Sequence, residues 1–173
     1  MLIDNKKNGK VGDVLKQTVK SNSKLSIVSA YFTLYAFSAL KKELTKIKEL
    51  RLLLTSPVYQ NNYATNPLFG EREEIKFKNS LQQVPIAREC ASWIREKVLI
   101  KEAKTQGTIP FNLYHINNSN DSIAIQGSSN FSSVGLGYAH SDAFAMNTLV
   151  KDTETTRHFL STFDEIWHNK AMV

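Results

Sequence analysis

Two short apolar segments on either side of a polar turn constrain the fold of this chain most. Residues 111–117 and 122–126 have the composition of strands, and the Asn/Ser/Asp cluster between them predicts the turn of a β-hairpin. In an antiparallel hairpin, the start of the first strand and the end of the second lie together. We therefore expect His115 to approach the loop at 127–130, and strand alternation places His115 and Asn117 on one face.

Upstream, the chain alternates between strand-like and helix-like patterns. Residues 24–32 and 50–55 have the apolar composition of buried strands, and apolar residues recur at helical spacing between them, at Phe37, Leu40, Leu44 and Ile47. A strand–helix–strand unit of this kind predicts a right-handed parallel crossover. The expected fold class is α/β, a mixed β-sheet flanked by helices, in a single domain that covers residues 1–173.

Weaker patterns predict the remaining elements. We expect Pro85 to interrupt a long helical stretch, because proline removes a backbone donor and clashes with the preceding turn. Asp152 or Thr153 is expected to cap the last helix. The other expected elements are helices at 11–19, 71–84 and 86–97, strands at 98–103 and 143–150, and a long surface loop at 58–69.

Charge and composition narrow the classes of function. The net charge is +6, and six lysines face only two aspartates in the first 24 residues, which favours a polyanionic partner such as DNA or RNA. No apolar run reaches membrane-spanning length and the start lacks a signal-peptide pattern, so we expect a cytoplasmic protein with no membrane partner. Cys90 is expected to be a buried thiol, and no Cys/His cluster suggests a metal or another cofactor.

The loop after the hairpin resembles a motif of the phospholipase D superfamily. That family carries His-x-Lys followed by Gly-Ser-x-Asn, and its nuclease branch typically has Gly-Ser-Ser-Asn-Phe-Ser/Thr with Gly-Leu a few residues later. Here residues 127–132 read Gly-Ser-Ser-Asn-Phe-Ser, and Gly135 and Leu136 follow. His115 taken alone favours an ordinary core histidine. The ordered pair of His115 and this loop favours the family.

The resemblance implies a phospholipase D-like α/β sandwich with metal-independent phosphodiesterase chemistry. In the family, one His attacks phosphorus, a second His protonates the leaving oxygen, and Lys and Asn hold the non-bridging oxygens. Carried over to this chain, His115 is the nucleophile, Asn130 and Asn117 contact the phosphate, and Ser128 and Ser129 bind substrate. Since one chain supplies one His, the resemblance also implies a homodimer in which the two His115 side chains face each other.

The chain departs from the family pattern in three ways. Asn117 stands where the family has Lys, and the interval from His115 to Asn130 is two residues shorter than the commonest spacing. Ala145 stands where relatives have Glu, which leaves Asp142 as the only acidic substitute nearby. Losing a charge-assisted phosphate contact can lower the rate by about 10²–10³-fold. The expected active site is therefore degenerate.

Three functions stay open. The first is a degenerate nuclease-like domain that binds DNA. Residues 163–168 resemble the end of such domains in front of superfamily 2 helicases or in restriction subunits, which implies a fused or associated helicase or restriction system. The second is an active, metal-independent, homodimeric phosphodiesterase with a phosphohistidine intermediate. The third is a structural dimerisation module with no nucleic-acid role.

Overall fold

A computed structural model describes residues 1–56 and 80–173 of the chain. In this part of the chain, seven strands form one mixed β-sheet and four helices pack on it. The strands are β1 (Leu2–Ile3), β2 (Lys24–Ser29), β3 (Glu49–Leu54), β4 (Val98–Glu102), β5 (Asn112–Asn117), β6 (Ser122–Gly127) and β7 (Asn147–Val150). The helices are α1 (Val11–Thr18), α2 (Leu34–Leu44), α3 (Ser80–Lys97) and α4 (Thr153–His168).

The strand order is β1-β7-β6-β5-β2-β3-β4. Strands β2, β3 and β4 run parallel to one another, whereas every other pairing is antiparallel. The mixed α/β class, the parallel strand–helix–strand unit and the β5–β6 hairpin are therefore confirmed. Strand β5 pairs with both β2 and β6, which places the hairpin in the middle of the sheet.

The two faces of the sheet are covered by different helices, because alternate residues of a strand point to opposite sides. On one face, Ile27, Leu52 and Tyr114 belong to a core that includes residues of α1, α2 and α3. On the other face, the strand residues pack against α4, in a core that contains Val28, Leu53, Leu113, Ala124, Phe163, Ile166 and Trp167. A side chain of β5 therefore packs either against α1, α2 and α3 or against α4, depending on the face to which it points.

One helix prediction is wrong. Pro85 does not interrupt the helix, since α3 continues through it from Ser80 to Lys97. Contacts further along α3 supply the stabilisation that offsets the missing backbone hydrogen bond. The Trp93 indole Nε1 donates to the Leu44 carbonyl at 2.9 Å, and its ring lies 5.1 Å from that of Phe37. The predicted loop at 58–69 and most of the predicted helix at 71–84 lie outside the described residues.

Other sequence predictions have clear outcomes. Cys90 is buried as expected, and burial raises the pKa of its thiol to about 12. Asp152 rather than Thr153 caps α4, because its carboxylate accepts the Thr155 N–H at 2.8 Å. The last strand is shorter than predicted, since residues 143–146 precede β7 as a connecting segment. Among the described residues, no helix is both long enough and apolar enough to cross a membrane.

Candidate functional site

The loop after β6 is held by hydrogen bonds to the segment that leads into β7. The Ser128 N–H donates to the Met146 carbonyl at 3.1 Å, and the Met146 N–H donates to Ser128 Oγ at 2.9 Å. The Ser129 N–H donates to Asn147 Oδ1 at 3.1 Å, and Asn147 Nδ2 donates to Ser129 Oγ at 2.9 Å. Both serines therefore hold the loop together, and Ser129 is buried within it.

Asn130 joins the same loop to the end of β2. Its Oδ1 accepts the Ala30 N–H at 3.0 Å and the Ser29 hydroxyl at 3.3 Å. The Phe131 N–H in turn donates to Ser29 Oγ at 2.9 Å. With its oxygen held by β2, the Nδ2 amide is the group of Asn130 that can donate to a ligand.

Two positions in this region require glycine, because backbone atoms of neighbouring residues occupy the space that a Cβ would need. A Cβ added to Gly127 would lie 2.3 Å from the Met146 carbonyl oxygen, and one added to Gly135 would lie 1.9 Å from the Asn130 carbonyl oxygen. No side chain fits at such distances. The spacing of Gly127 and Gly135 in the sequence therefore reflects the path of the loop itself.

Asn5 connects the N-terminal segment to the loop. Its Oδ1 accepts the Val11 N–H at 2.9 Å at the start of α1, and its Nδ2 donates to the Gly135 carbonyl at 2.9 Å and to Ser129 Oγ at 3.2 Å. Asn5 was not among the predicted site residues. Its backbone φ is +59°, in the left-handed region where Asn is enriched, but nothing in the local sequence indicates the distant partners.

These contacts border an open cavity of about 590 Å³, which we call the loop cleft. Its lining combines the N-terminal segment, the loop and residues 134–145, and includes Asp4, Asn5, Lys6, Lys10, Ser128, Ser129, Asn130, Tyr138, His140, Asp142 and Phe144. The ammonium groups of Lys10 and Lys16 lie 5.9 and 4.6 Å from the centre of the Tyr138 ring. Burial and a hydrogen bond to the Asp13 carboxylate raise the pKa of Tyr138, which keeps its hydroxyl protonated.

A second, smaller cavity of about 260 Å³ lies under the other face of the sheet, and we call it the histidine pocket. The Tyr114 hydroxyl donates to the Ser129 carbonyl at 3.0 Å, so the Tyr114 side chain points to the face of the sheet from which it reaches the loop. His115, the next residue of β5, therefore points to the face covered by α4. The lining of the pocket consists of Lys24, Ser26, Glu49, Arg51, His115, Asn117 and Leu160.

His115 is a buried, uncharged residue in this pocket. Only 1% of its surface is exposed, and its Nδ1 has no hydrogen-bond partner among the described residues. Burial lowers the pKa of His115, and the nearby Arg51 charge lowers it further, whereas the Thr156 backbone and the Asp164 carboxylate act in the opposite direction. The neutral imidazole is thus favoured.

Arg51 is the main cation of the histidine pocket, and its charge is balanced inside the protein. One guanidinium nitrogen lies 2.6 Å from Asp164 Oδ1, and the other donates to Ser26 Oγ at 3.0 Å. The guanidinium also lies 4.8 Å from the centre of the Phe163 ring. Arg51 was not among the predicted site residues, although a single charged residue within the apolar strand 50–54 is a signal that could have found it.

The structure separates the six predicted site residues into two groups. His115 and Asn117 share the histidine pocket, as strand alternation predicted, whereas Ser128, Ser129, Asn130 and Asp142 line the loop cleft. The expected approach of His115 to the loop is wrong. In the hairpin, Gly127 pairs with Asn112, and His115 pairs with Ala124 three register steps away, about 10 Å along the strand.

Two further expectations fail for the same reason. Asp142 cannot orient His115, because it lies in the loop cleft on the other face, where it is exposed beside His140. His115 is buried under α4 and is not exposed where it could face the His115 of a second subunit, and the homodimer itself stays a prediction. Ser129 is buried and its hydroxyl accepts two hydrogen bonds within the protein, so it has a structural role in the loop, and its substrate role stays a prediction.

Comparison with known proteins adds no constraint on the function. No protein-family model matches the chain, and no sequence among the curated proteins matches it. Within residues 1–56 and 80–173, no group of three or more His, Cys, Asp or Glu side chains is arranged to hold a metal ion.

Proposed function

We propose that this protein is a phospholipase D-like, nuclease-family domain that binds nucleic acid in the loop cleft without hydrolysing it, in association with a helicase or a restriction system. The observation that carries this proposal is the separation of the two cavities. The open cleft at the Gly-Ser-Ser-Asn loop contains Lys6 and Lys10, whereas His115 lies outside it and is buried in the histidine pocket.

The groups in the loop cleft suit a phosphodiester backbone. Lys6 and Lys10 supply positive charge, and the Asn130 amide can donate to a phosphate oxygen. The nearest acidic side chain of the N-terminal segment is Asp4, whose carboxylate accepts the backbone N–H groups of Lys6 and Asn8 at 2.9 and 2.8 Å. Asp4 is thus occupied in shaping the segment that presents the lysines.

The same geometry argues against hydrolysis. A nucleophile must lie about 3–3.5 Å from the reacting phosphorus, and His115 is on the far side of the sheet. The loop cleft does contain His140, but its side chain is 88% exposed and its Nε2 lies 3.8 Å from Asp142. That separation exceeds hydrogen-bond distance, so the carboxylate does not fix the tautomer of His140.

The binding half of the proposal is tested by salt dependence. Affinity for a short DNA duplex should fall steeply as salt rises, because phosphate contacts release counterions. In the double variant Lys6→Gln/Lys10→Gln, the slope of log affinity against log salt should decrease by about 2. The matched control is Lys42→Gln/Lys46→Gln, which removes two exposed lysines that line neither cavity and should leave the slope unchanged.

The catalytic half is tested by incubating the protein with DNA in EDTA. We expect no cleavage. Cleavage that His115→Ala or His140→Ala abolishes would instead establish the active phosphodiesterase. Salt-independent binding, or no binding to DNA or RNA, would favour a structural module with no nucleic-acid role.

A further inference from the structure

Phe144 stands at the rim of the loop cleft in an unusual position for an aromatic residue. It is 92% exposed, more than any other large apolar residue in the described part of the chain. Met146, two residues later, is also exposed, at 69%. A single exposed apolar side chain is ordinary, but an exposed aromatic ring next to lysine side chains is typical of a stacking surface for bases.

The segment that carries Phe144 is tied to the loop. Met146 makes the two hydrogen bonds to Ser128 described above, and Asn147 follows with its bonds to Ser129. The backbone two residues beyond Phe144 is thus held on the same loop that carries Asn130. The ring is therefore anchored close to the groups proposed to contact phosphate.

A cation lies over the ring. The Lys6 ammonium is 4.8 Å from the centre of the Phe144 ring, and the high exposure of the residue leaves the other ring face open. A planar base can stack on that open face, while Lys6 and Lys10 remain within the same cleft to contact the neighbouring phosphates. Bases are available for such stacking only where the strand is unpaired.

We propose that the loop cleft binds unpaired nucleotides, with one base stacked on Phe144 and its adjoining phosphates held by Lys6, Lys10 and Asn130. This inference rests on the proposed function and specifies its ligand as single-stranded nucleic acid or the unpaired end of a duplex.

An anionic membrane surface is a less suitable partner for the same groups. Phe144 is the only large apolar residue among residues 139–145, whereas binding to a lipid surface depends on a larger apolar face. The cleft is also concave and lined by polar groups that a lipid surface could not reach.

The test compares a single strand of about ten nucleotides with the same strand made abasic at its central positions, so that the phosphates are unchanged. The full-length protein should bind the intact strand at least about fivefold more tightly, as expected for one stacked base. Phe144→Leu should abolish this preference without weakening binding of the abasic strand, and Phe144→Trp should preserve it. Leu99→Ala is the control, because Leu99 is an exposed apolar residue on β4, at the opposite edge of the sheet.

Three results would overturn the inference, and they separate its failure from that of the proposed function. Equal affinity for intact and abasic strands would leave phosphate binding intact but remove the stacked base. Failure to bind either strand would overturn the inference, and it would remove the proposed function as well only if the duplex also fails to bind. Binding to phosphatidylserine vesicles that Phe144→Leu abolishes, together with equal affinity for the two strands, would identify a membrane surface.

Discussion

The loop cleft is formed by residues outside the strands, whereas the histidine pocket is lined by strand residues under the face that α4 covers, and the two sites use positive charge in different ways. In the histidine pocket, Arg51 is ion-paired with Asp164 and lies over the Phe163 ring, so its charge is compensated within the fold. In the loop cleft, Lys6 and Lys10 belong to the open lining and form no ion pair with the acidic residues described there. An ion-paired cation stabilises the fold, whereas a lysine that forms no ion pair in an open cleft is available to a ligand.

The largest expected change in the free energy of unfolding comes from adding a side chain to a glycine of the loop. Gly135→Ala should lower the free energy of unfolding by about 3 kcal/mol, because its Cβ would overlap the Asn130 carbonyl oxygen. Gly107→Ala is the matched control. Gly107 has a positive φ, +82°, which Gly135 does not have, but no atom of the described residues lies within 4 Å of an added Cβ, so the cost should be only about 1 kcal/mol. Urea denaturation measures both, and equal losses would show that the loop can yield to the added atom.

The next largest change in stability should show that the ion-paired Arg51 stabilises the fold and, unlike the lysines of the loop cleft, does not contact DNA. Asp164→Ala leaves the partly buried Arg51 guanidinium without its carboxylate and should cost about 1–2 kcal/mol, allowing for solvent screening. Glu165→Ala, an exposed change on the same helix, should cost less than about 0.5 kcal/mol. Neither variant should alter DNA affinity. A loss of DNA binding in folded Asp164→Ala would mean that the histidine pocket is part of the interface.

The smallest effect is a pH dependence that belongs to the histidine pocket. Burial lowers the pKa of His115 below its ordinary value of 6.5, so the unfolded chain binds more protons at pH values between the two. The free energy of unfolding should therefore fall as pH drops through about 6.5 and level off below the folded-state pKa. The difference between the wild type and His115→Leu isolates this contribution, since the other three histidines are present in both proteins. Parallel stability curves from pH 5 to 8 would contradict the burial of a neutral imidazole.

Local patterns were sufficient for most of the secondary structure and for the division of each strand into two faces. Apolar periodicity located β2, α2, β3 and the β5–β6 hairpin, because a helix or strand buries residues at its own period. The same alternation correctly put His115 and Asn117 together. Pro85 shows the limit of such rules, since contacts made by Trp93 with distant residues outweigh a local preference.

The sequence by itself determined the α/β class, the main strand and helix segments and the β5–β6 hairpin, since each follows from a pattern of residues that are close in the chain. Only the tertiary structure decided which side chains share a cavity. The Arg51–Asp164 pair spans 113 positions, and the Asn5–Gly135 hydrogen bond spans 130. The register of β5 against β6 placed His115 three steps from Gly127. A side chain on a strand reaches one face only. The alternation that places His115 beside Asn117 therefore separates His115 from the loop, which its neighbour Tyr114 contacts.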